Sequence, residues 1–318
     1  MFDQSIGGKG VLKNELTEKF TLLKFFRLTG RKIWRIAGLN ILFTVTNLPI
    51  FFILLYFAGY GTYQSPTPMY PYWFGPITGA ARFVSNPAMS VLQSVCGITV
   101  QGSYNGTWSY IFLGLALLTL FTFGPANAGM AFVLRNYTRE EPAELFHDYF
   151  RTIGKNLRQS IIIGFIDLVL LVTMGFDFYL LLIGSDNMAL FAVVGTAASI
   201  IYTFMRNYLY TIMITFDLSV YKIFKNSLIF AFVNVKRNLV AMLGKAICII
   251  FTVLMLVFVT PIGALILMGL FFSFTSFIGI YAAYPAIKQY MIDPVINEER
   301  KKNKEERKGE NPIFTDMG

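Results

Sequence analysis

Charged residues inside long apolar stretches are the strongest candidates for chemistry in this chain of 318 residues. Asp167 lies well within the apolar stretch that starts at Ile161, and Lys245 lies at a similar depth in the run that ends before Pro261. A carboxylate in lipid is costly unless it is paired. We predict that Asp167 and Lys245 form an ion pair in a polar crevice; the alternative is a Lys245 that extends to the aqueous surface and an Asp167 that is protonated or hydrated.

The remaining residue types do not assemble a catalytic centre. His147 is the only histidine, which excludes a histidine-based triad and a multi-histidine metal site. Cys96 and Cys248 have no metal-type spacing, and the glycines of residues 7–10 lack the pattern of a phosphate-binding loop. The chain is therefore predicted to be a non-enzyme without cofactor or metal.

The composition predicts a protein that crosses a membrane several times. Hydrophobic residues make up 55% of the chain and charged residues only 14%. The chain contains apolar stretches that are long enough to span a bilayer as helices. We therefore predict an all-α membrane protein with six transmembrane helices and amphipathic interfacial helices. The predicted spans are residues 36–59, 108–134, 159–183, 188–214, 239–260 and 261–287.

The positions of the basic residues predict the orientation. Arg82 is the only Lys or Arg in the predicted outer connections, so the positive-inside rule places both termini in the cytoplasm of a multi-pass protein of the cell membrane. The net charge of +9 is spread over several inner segments, which argues against a nucleic-acid partner. The predicted organisation is a cytoplasmic segment (1–35) with an amphipathic helix, a membrane domain (36–290) with an outer insertion (60–107), and a charged cytoplasmic tail (291–318).

The segment between spans two and three has the pattern of an interfacial helix. After a predicted start at residues 138–142, its large apolar side chains recur at helical spacing, with polar residues on the other face. Such a helix lies in the plane of the interface. It offers a contact surface for a cytoplasmic partner, formed by Phe146, Phe150, Arg151 and Lys155.

A repeated tripeptide suggests internal symmetry. Residues 135–137, 206–208 and 288–290 each combine a basic residue, an amide and a tyrosine. Asn156 and Asn238 are 82 residues apart, as are Arg206 and Lys288. We predict three copies of a helical hairpin, the alternative being chance similarity in a biased composition.

The outer segment between spans one and two is rich in Gly, Pro and aromatic residues. Aromatic rings and tyrosine hydroxyls serve both sugar recognition and protein docking. The alternative is an aromatic lid that only seals the bundle. The predicted outer contact surface consists of Tyr63, Tyr70, Tyr72, Trp73 and Phe74.

Several motifs resemble the YesL-like family of bacterial membrane proteins. They are residues 39–42 and 47–50 in span one, Gly124-Pro125, and the segment from Arg139 to Asn156, within a similarity that covers roughly 25–295. The resemblance implies a Gram-positive bacterial protein encoded beside carbohydrate ABC importers and glycoside-degrading enzymes. It supplies no catalytic residues to transfer, and the outer insertion departs from the short form of the family.

Three functional hypotheses follow. The favoured one is a non-catalytic accessory subunit of a carbohydrate ABC importer, which contacts the lipid bilayer, permease subunits and a solute-binding protein, and contributes to assembly, stability or regulation of uptake. The second is a stand-alone channel or transporter for a small solute, with Asp167, Arg206 and Lys245 along its path. The third, an intramembrane enzyme, lacks a nucleophile, base and orienting group. A permease is disfavoured because the segment at residues 140–144 is not followed by the Gly and the later Leu-Pro pair of the importer coupling loop.

Overall fold

The computed structural model describes residues 21–57, 107–183 and 189–298, and every regular element in these ranges is helical. The outer segment, including the five aromatic residues of its predicted contact surface, and most of both terminal segments lie outside the described residues. The helices are α1 (Leu22–Thr46), α2 (Pro49–Phe57), α3 (Thr107–Ala116), α4 (Thr119–Thr138), α5 (Leu145–Ile183), α6 (Ala189–Thr215), α7 (Val220–Val233), α8 (Val235–Phe258), α9 (Thr260–Ile266) and α10 (Phe272–Ile287), with π-helical segments at Leu267–Phe271 and Lys288–Ile292.

Four helical stretches in the described ranges are long and apolar enough to cross a membrane. This confirms the prediction of an all-helical membrane protein. The stretches are Tyr110–Thr138, Leu145–Leu181, Val235–Leu256 and Ile262–Glu298.

Two of the predicted interfacial helices are continuous with the spans that follow them. The segment predicted to lie in the interface plane forms the first turns of α5, which runs for 39 residues, and α1 likewise passes through the predicted boundary at residue 35. Because residues 145–183 contain no proline, nothing in the sequence forces a break. By contrast, α7 is separate from the span that follows it: it ends at Val233, and Asn234 lies between it and α8.

The helix α4 lies at the centre of the bundle. From Phe123 to Thr138 its side chains are buried, apart from the half-buried Phe132. It approaches α5 most closely where Gly124 faces Gly164, since a Cβ on either glycine would overlap the backbone of the other helix. The two glycines therefore set the distance between α4 and α5.

Replacing Gly164 with alanine is expected to destabilise the bundle, because the new methyl group meets backbone that cannot rotate away. The expected loss is roughly 1–3 kcal/mol, measured as the free energy of unfolding of the purified protein in mixed micelles. Gly175→Ala is the matched control, since a Cβ there meets no atom within 4 Å. Equal losses in the two variants would contradict the proposed close approach.

Two helical stretches are interrupted on the way through the bundle, the pair α1 and α2 and the candidate span Ile262–Glu298. The helix α1 ends at Thr46, and α2 begins at Pro49, a residue that cannot donate a backbone hydrogen bond. The last span contains the π-helical segment Leu267–Phe271 between α9 and α10. Asn40 of α1 binds this segment: its amide nitrogen donates to the carbonyl oxygens of Leu267 (3.2 Å) and Met268 (2.7 Å), and its amide oxygen accepts from the backbone nitrogen of Ser273 (2.8 Å).

Candidate functional site

Asp167 is fully buried on α5 and is held by α6. Its carboxylate accepts hydrogen bonds from the Tyr202 hydroxyl (2.6 Å), the Tyr210 hydroxyl (2.7 Å) and the Arg206 Nε atom (2.8 and 3.1 Å). The three donors recur every four residues, so they form one stripe along α6. A buried carboxylate with these partners is both neutralised and hydrogen-bonded.

Lys245 of α8 belongs to the same polar cluster but has a different partner. Its ammonium donates to the Asn207 Oδ1 atom at 2.5 Å. No carboxylate among the described residues lies within salt-bridge distance of it. The sequence-based pairing therefore needs correcting, because the direct ionic partner of Asp167 is Arg206 and not Lys245. The physical reason is that the Arg206 side chain extends from the adjoining helix to the Asp167 carboxylate, whereas the Lys245 ammonium contacts Asn207. Arg206 is also flanked by the two tyrosines that bind the same carboxylate.

Gly279 of α10 makes room for this contact. A Cβ at Gly279 would lie 2.4 Å from the Asn207 Oδ1 atom and 2.8 Å from the Lys245 Nζ atom. Both distances are shorter than van der Waals contact. The close packing of α6, α8 and α10 at this level thus depends on glycine.

A small cavity of about 30 Å³ lies next to the cluster, between α4, α6, α8 and α10. It is large enough for one water molecule. Two polar atoms among its lining residues, Asn207 Nδ2 and Thr211 Oγ1, are buried and have no hydrogen-bond partner in the described part of the chain. The cavity thus presents a cation and unused hydrogen-bonding groups side by side.

A second, larger cavity of about 500 Å³ adjoins the first, and both are lined by Asn127, Met130, Arg206, Lys245 and Ser276. Its walls come from α1, α2, α4, α5, α6, α8, α10 and the π-helical segment. Most of the remaining lining is apolar. These apolar residues are Phe43, Ile50, Phe51, Phe123, Leu171, Met174, Met242, Ala246, Ile249, Phe271 and Phe272.

Both helix interruptions adjoin this larger cavity. Asn47 at the break between α1 and α2 lines it, as does Phe271 at the end of the π-helical segment. Helix breaks at membrane depth occur where the irregular backbone lines a cavity. The breaks and the polar cluster therefore belong to one site.

A separate charged cluster fixes the start of α1 to the end of α4. The Glu140 carboxylate accepts from the Arg31 Nη2 atom (2.5 Å) and pairs with the Lys24 ammonium (3.0 Å). Glu140 has a φ of 60° and follows the last turn of α4, so residues 138–142 end one helix and do not begin the next. Burial alone would raise the pKa of Glu140, but the hydrogen bonds from Arg31 and Lys24 outweigh it and lower the pKa.

This cluster predicts a pH dependence of stability. The pKa of Glu140 is lower in the folded protein than its ordinary value of 4.5, so its contribution is present above that value and is lost as the pH falls below it. The side chain is 36% accessible, so solvent screening limits the contribution to less than about 1 kcal/mol. The difference in unfolding free energy between wild type and Glu140→Gln should shrink between pH 7 and about pH 3.5. A difference in unfolding free energy that stays constant over this pH range would contradict the predicted contribution of Glu140.

The predicted cytoplasmic contact surface lies on the first turns of α5. Phe146 is 67% exposed and Phe150 is 50% exposed, while Arg151 and Lys155 are also exposed. Tyr149 between them is buried, and its hydroxyl lies 2.7 Å from the Thr46 hydroxyl. His147 is exposed, and the described residues hold no group of three or more His, Cys, Asp or Glu side chains that could bind a metal.

Sequence reasoning missed Tyr202 and Tyr210 as partners of Asp167. The available signal was their spacing, with Arg206 midway between two tyrosines on an otherwise apolar helix. Asn207 was noticed only as part of a repeated tripeptide. A tyrosine in an apolar span does not by itself indicate a buried polar contact, because its ring packs equally well against lipid and against a protein core.

Fold and site together define an all-helical membrane protein with a polar cluster and a cavity inside its bundle. Residues 36–178 match the family described as "Protein of unknown function, DUF624". YesL-like proteins belong to this family. The matched range is shorter than the resemblance over residues 25–295 and ends within α5. No curated protein and no solved structure matches the chain.

Proposed function

We propose that the chain is a six-span protein of the cell membrane, with cytoplasmic termini, that binds a small solute in its central cavity and moves it across the membrane. The observation that carries this proposal is the cavity of about 500 Å³, lined by seven helices and by the cations Arg206 and Lys245. Its volume falls within the roughly 300–1,000 Å³ typical of small-molecule sites.

Helix lengths support six spans. In addition to the four stretches above, α6 has 27 residues and is about 40 Å long, which exceeds a hydrocarbon core of about 30 Å. The pair α1 and α2 supplies the sixth. An arrangement as three repeated hairpins is compatible with this count and remains part of the proposal.

The interrupted helices support movement of solute. Transport proteins commonly place their substrate sites near the bilayer midplane, where spans are broken. π-Helical segments are likewise frequent at functional sites, and this one ends at the cavity wall. Two side chains among the described residues bond to its backbone carbonyls: Asn40 of α1 binds Leu267 and Met268, and Thr275 of the following helix binds Phe271. The Asn40 contact joins the segment to another helix, so it is a specific point at which the packing of the segment can change.

Filling the cavity should stop transport. Ala246 lines the cavity, whereas its neighbour Ile247 is 68% exposed on the outer face of the same helix. In proteoliposomes supplied with a defined panel of isotopically labelled sugars, amino acids and carboxylates, Ala246→Phe is expected to reduce uptake at least about tenfold, since overpacking excludes solute.

The matched control, Ile247→Phe, adds similar bulk to the same helix and should retain uptake. The proposal fails if wild-type vesicles accumulate none of the solutes. It also fails if both phenylalanine variants lose uptake equally.

A second candidate function is the accessory subunit of a carbohydrate ABC importer. The observation that favours it is the number of large apolar side chains exposed along the first half of α1 and the first turn of α5: Trp34 is 86% exposed, Phe26 66% and Phe146 67%. Beside the basic residues at these helix ends, such side chains suit a partner's spans as well as lipid.

Purification of the tagged native protein in mild detergent tests this second function. Mass spectrometry should then detect permease subunits and a solute-binding protein, and Phe146→Ser with Phe150→Ser should remove them from the complex. Recovery of the wild-type protein without any importer component would count against the accessory role.

A further inference from the structure

We infer that the solute bound in the cavity is an organic anion with an apolar body: its oxyanion head binds at Lys245 and Asn207, and its body lies among the phenylalanine and methionine side chains. The inference rests on the proposed function, because it names the chemical class that the same cavity would accept.

The charge of the cluster is not balanced. Asp167 is committed to Arg206 and to two tyrosines of α6, all at hydrogen-bond distance. Lys245 then remains with an amide oxygen as its partner, and no Asp or Glu lines either cavity among the described residues. An ammonium inside a bundle is costly without a counter-charge, so the site favours a ligand that brings one negative charge.

Hydrogen-bond donors for an oxyanion are already in place. Asn207 accepts from Lys245 through its oxygen, and its Nδ2 donor has no partner among the residues that the structure describes; the side chain is 4% exposed. The Thr211 hydroxyl lines the same small cavity, is also without a partner in the described chain, and is 1% exposed. Charge-assisted hydrogen bonds from such groups are stronger than those between neutral groups.

The rest of the larger cavity suits an apolar body and not a sugar. Five phenylalanines line it together with aliphatic side chains and methionines. Apart from the residues shared with the small cavity, its polar lining is limited to Thr44, Asn47, Thr203 and Thr275. These are too few to pair all the hydroxyl groups of a sugar, and buried hydroxyl groups without partners are unfavourable. A hydrocarbon or aromatic group would instead be transferred from water to an apolar wall.

The test uses 4-phenylbutyrate as the probe and its neutral primary amide, 4-phenylbutyramide, as the comparison. Binding to the full-length protein in nanodiscs of phosphatidylcholine is measured by isothermal titration calorimetry. The carboxylate is expected to bind at least about tenfold more tightly than the amide. Lys245→Met should abolish this preference, while Lys236→Met, which alters an exposed lysine of the same helix, should retain it.

A second variant keeps the test decisive if Lys245→Met fails to fold. Asn207→Asp places a carboxylate next to Lys245 without removing the cation. It should raise the midpoint of thermal unfolding and remove the preference for the carboxylate probe. An unchanged preference in this variant would overturn the inference.

An anionic lipid headgroup shares the chemistry of a free organic anion, and the lipid composition distinguishes the two sources. In nanodiscs of phosphatidylglycerol, a lipid occupant would weaken binding of the probe, and phosphatidylglycerol would co-purify with wild type but not with Asn207→Asp. A free anion would bind equally in both kinds of nanodisc.

The inference and the proposed function fail in different ways. Uptake or binding of a neutral sugar that is lost in Ala246→Phe but unaffected by Lys245→Met would overturn the inference and leave the proposed function standing. A protein that binds none of the probes and moves none of the labelled solutes would overturn both.

Discussion

Replacing Asp167 with asparagine is expected to cause one of the largest losses of stability in this protein. The carboxylate is fully buried and accepts hydrogen bonds from Arg206, Tyr202 and Tyr210. Removal of one partner of a buried ion pair leaves the other charge uncompensated, which costs roughly 3–5 kcal/mol. The measurement is the free energy of unfolding in mixed micelles of increasing sodium dodecyl sulfate content.

Two double variants identify the ionic partner. Asp167→Asn with Arg206→Gln removes both members of the observed salt bridge and should recover part of the lost stability. Asp167→Asn with Lys245→Met should recover less, because Lys245 binds Asn207 and not Asp167. Equal recovery in the two double variants would show that the pairing is wrong.

A conservative control lies on the same helix. Asp177 of α5 is half-buried and accepts a hydrogen bond from the Ser199 hydroxyl (3.3 Å), with no ion pair among the described residues. Asp177→Asn should therefore cost less than about 1 kcal/mol. The contrast separates the effect of the buried ion pair from a general effect of removing a carboxylate.

Replacing Asn40 with leucine is expected to cost about 2–4 kcal/mol. The substitution removes three hydrogen bonds to Leu267, Met268 and Ser273 and leaves those backbone groups without their partner inside the bundle. Because the same contacts hold the π-helical segment, the variant should also exchange backbone amide hydrogens faster across residues 267–273. Both the unfolding free energy and hydrogen exchange report this result.

Asn156→Leu is the matched control for Asn40→Leu. Asn156 donates one hydrogen bond, to the Thr152 carbonyl of its own helix (3.0 Å). Its loss should cost less than about 1 kcal/mol and leave exchange at residues 267–273 unchanged. If the two leucine variants behave alike, the Asn40 contacts do not stabilise the interrupted span.

Hydrophobic stretches predicted the helical membrane class, because span length and polarity are read directly from composition. Asp167 was also found in this way, since a charge in an apolar run is conspicuous. Its partner was not, because Arg206 reaches Asp167 across the interface of two helices, and single-sequence patterns do not fix which faces meet. The central cavity could not be predicted for the same reason: it is formed by seven helices distant in sequence.

The repeated tripeptide shows how one pattern can occupy different surroundings. Arg206 binds Asp167, whereas Arg135 donates to Thr215 and to its neighbour Asn136. The Tyr208 hydroxyl donates to Asn238, while the Tyr137 hydroxyl has no partner in the described chain. Local sequence similarity therefore does not carry over into equivalent contacts, and the three-hairpin arrangement stays a prediction.

The bond between Asn40 and residues 267–273 also constrains how the protein is made. More than two hundred residues separate the two partners, so the ribosome needs roughly 10–50 s to synthesise the second after the first. During that time the nascent chain holds the Asn40 amide without its final partner. A truncated product that stops before Leu267 never forms these hydrogen bonds.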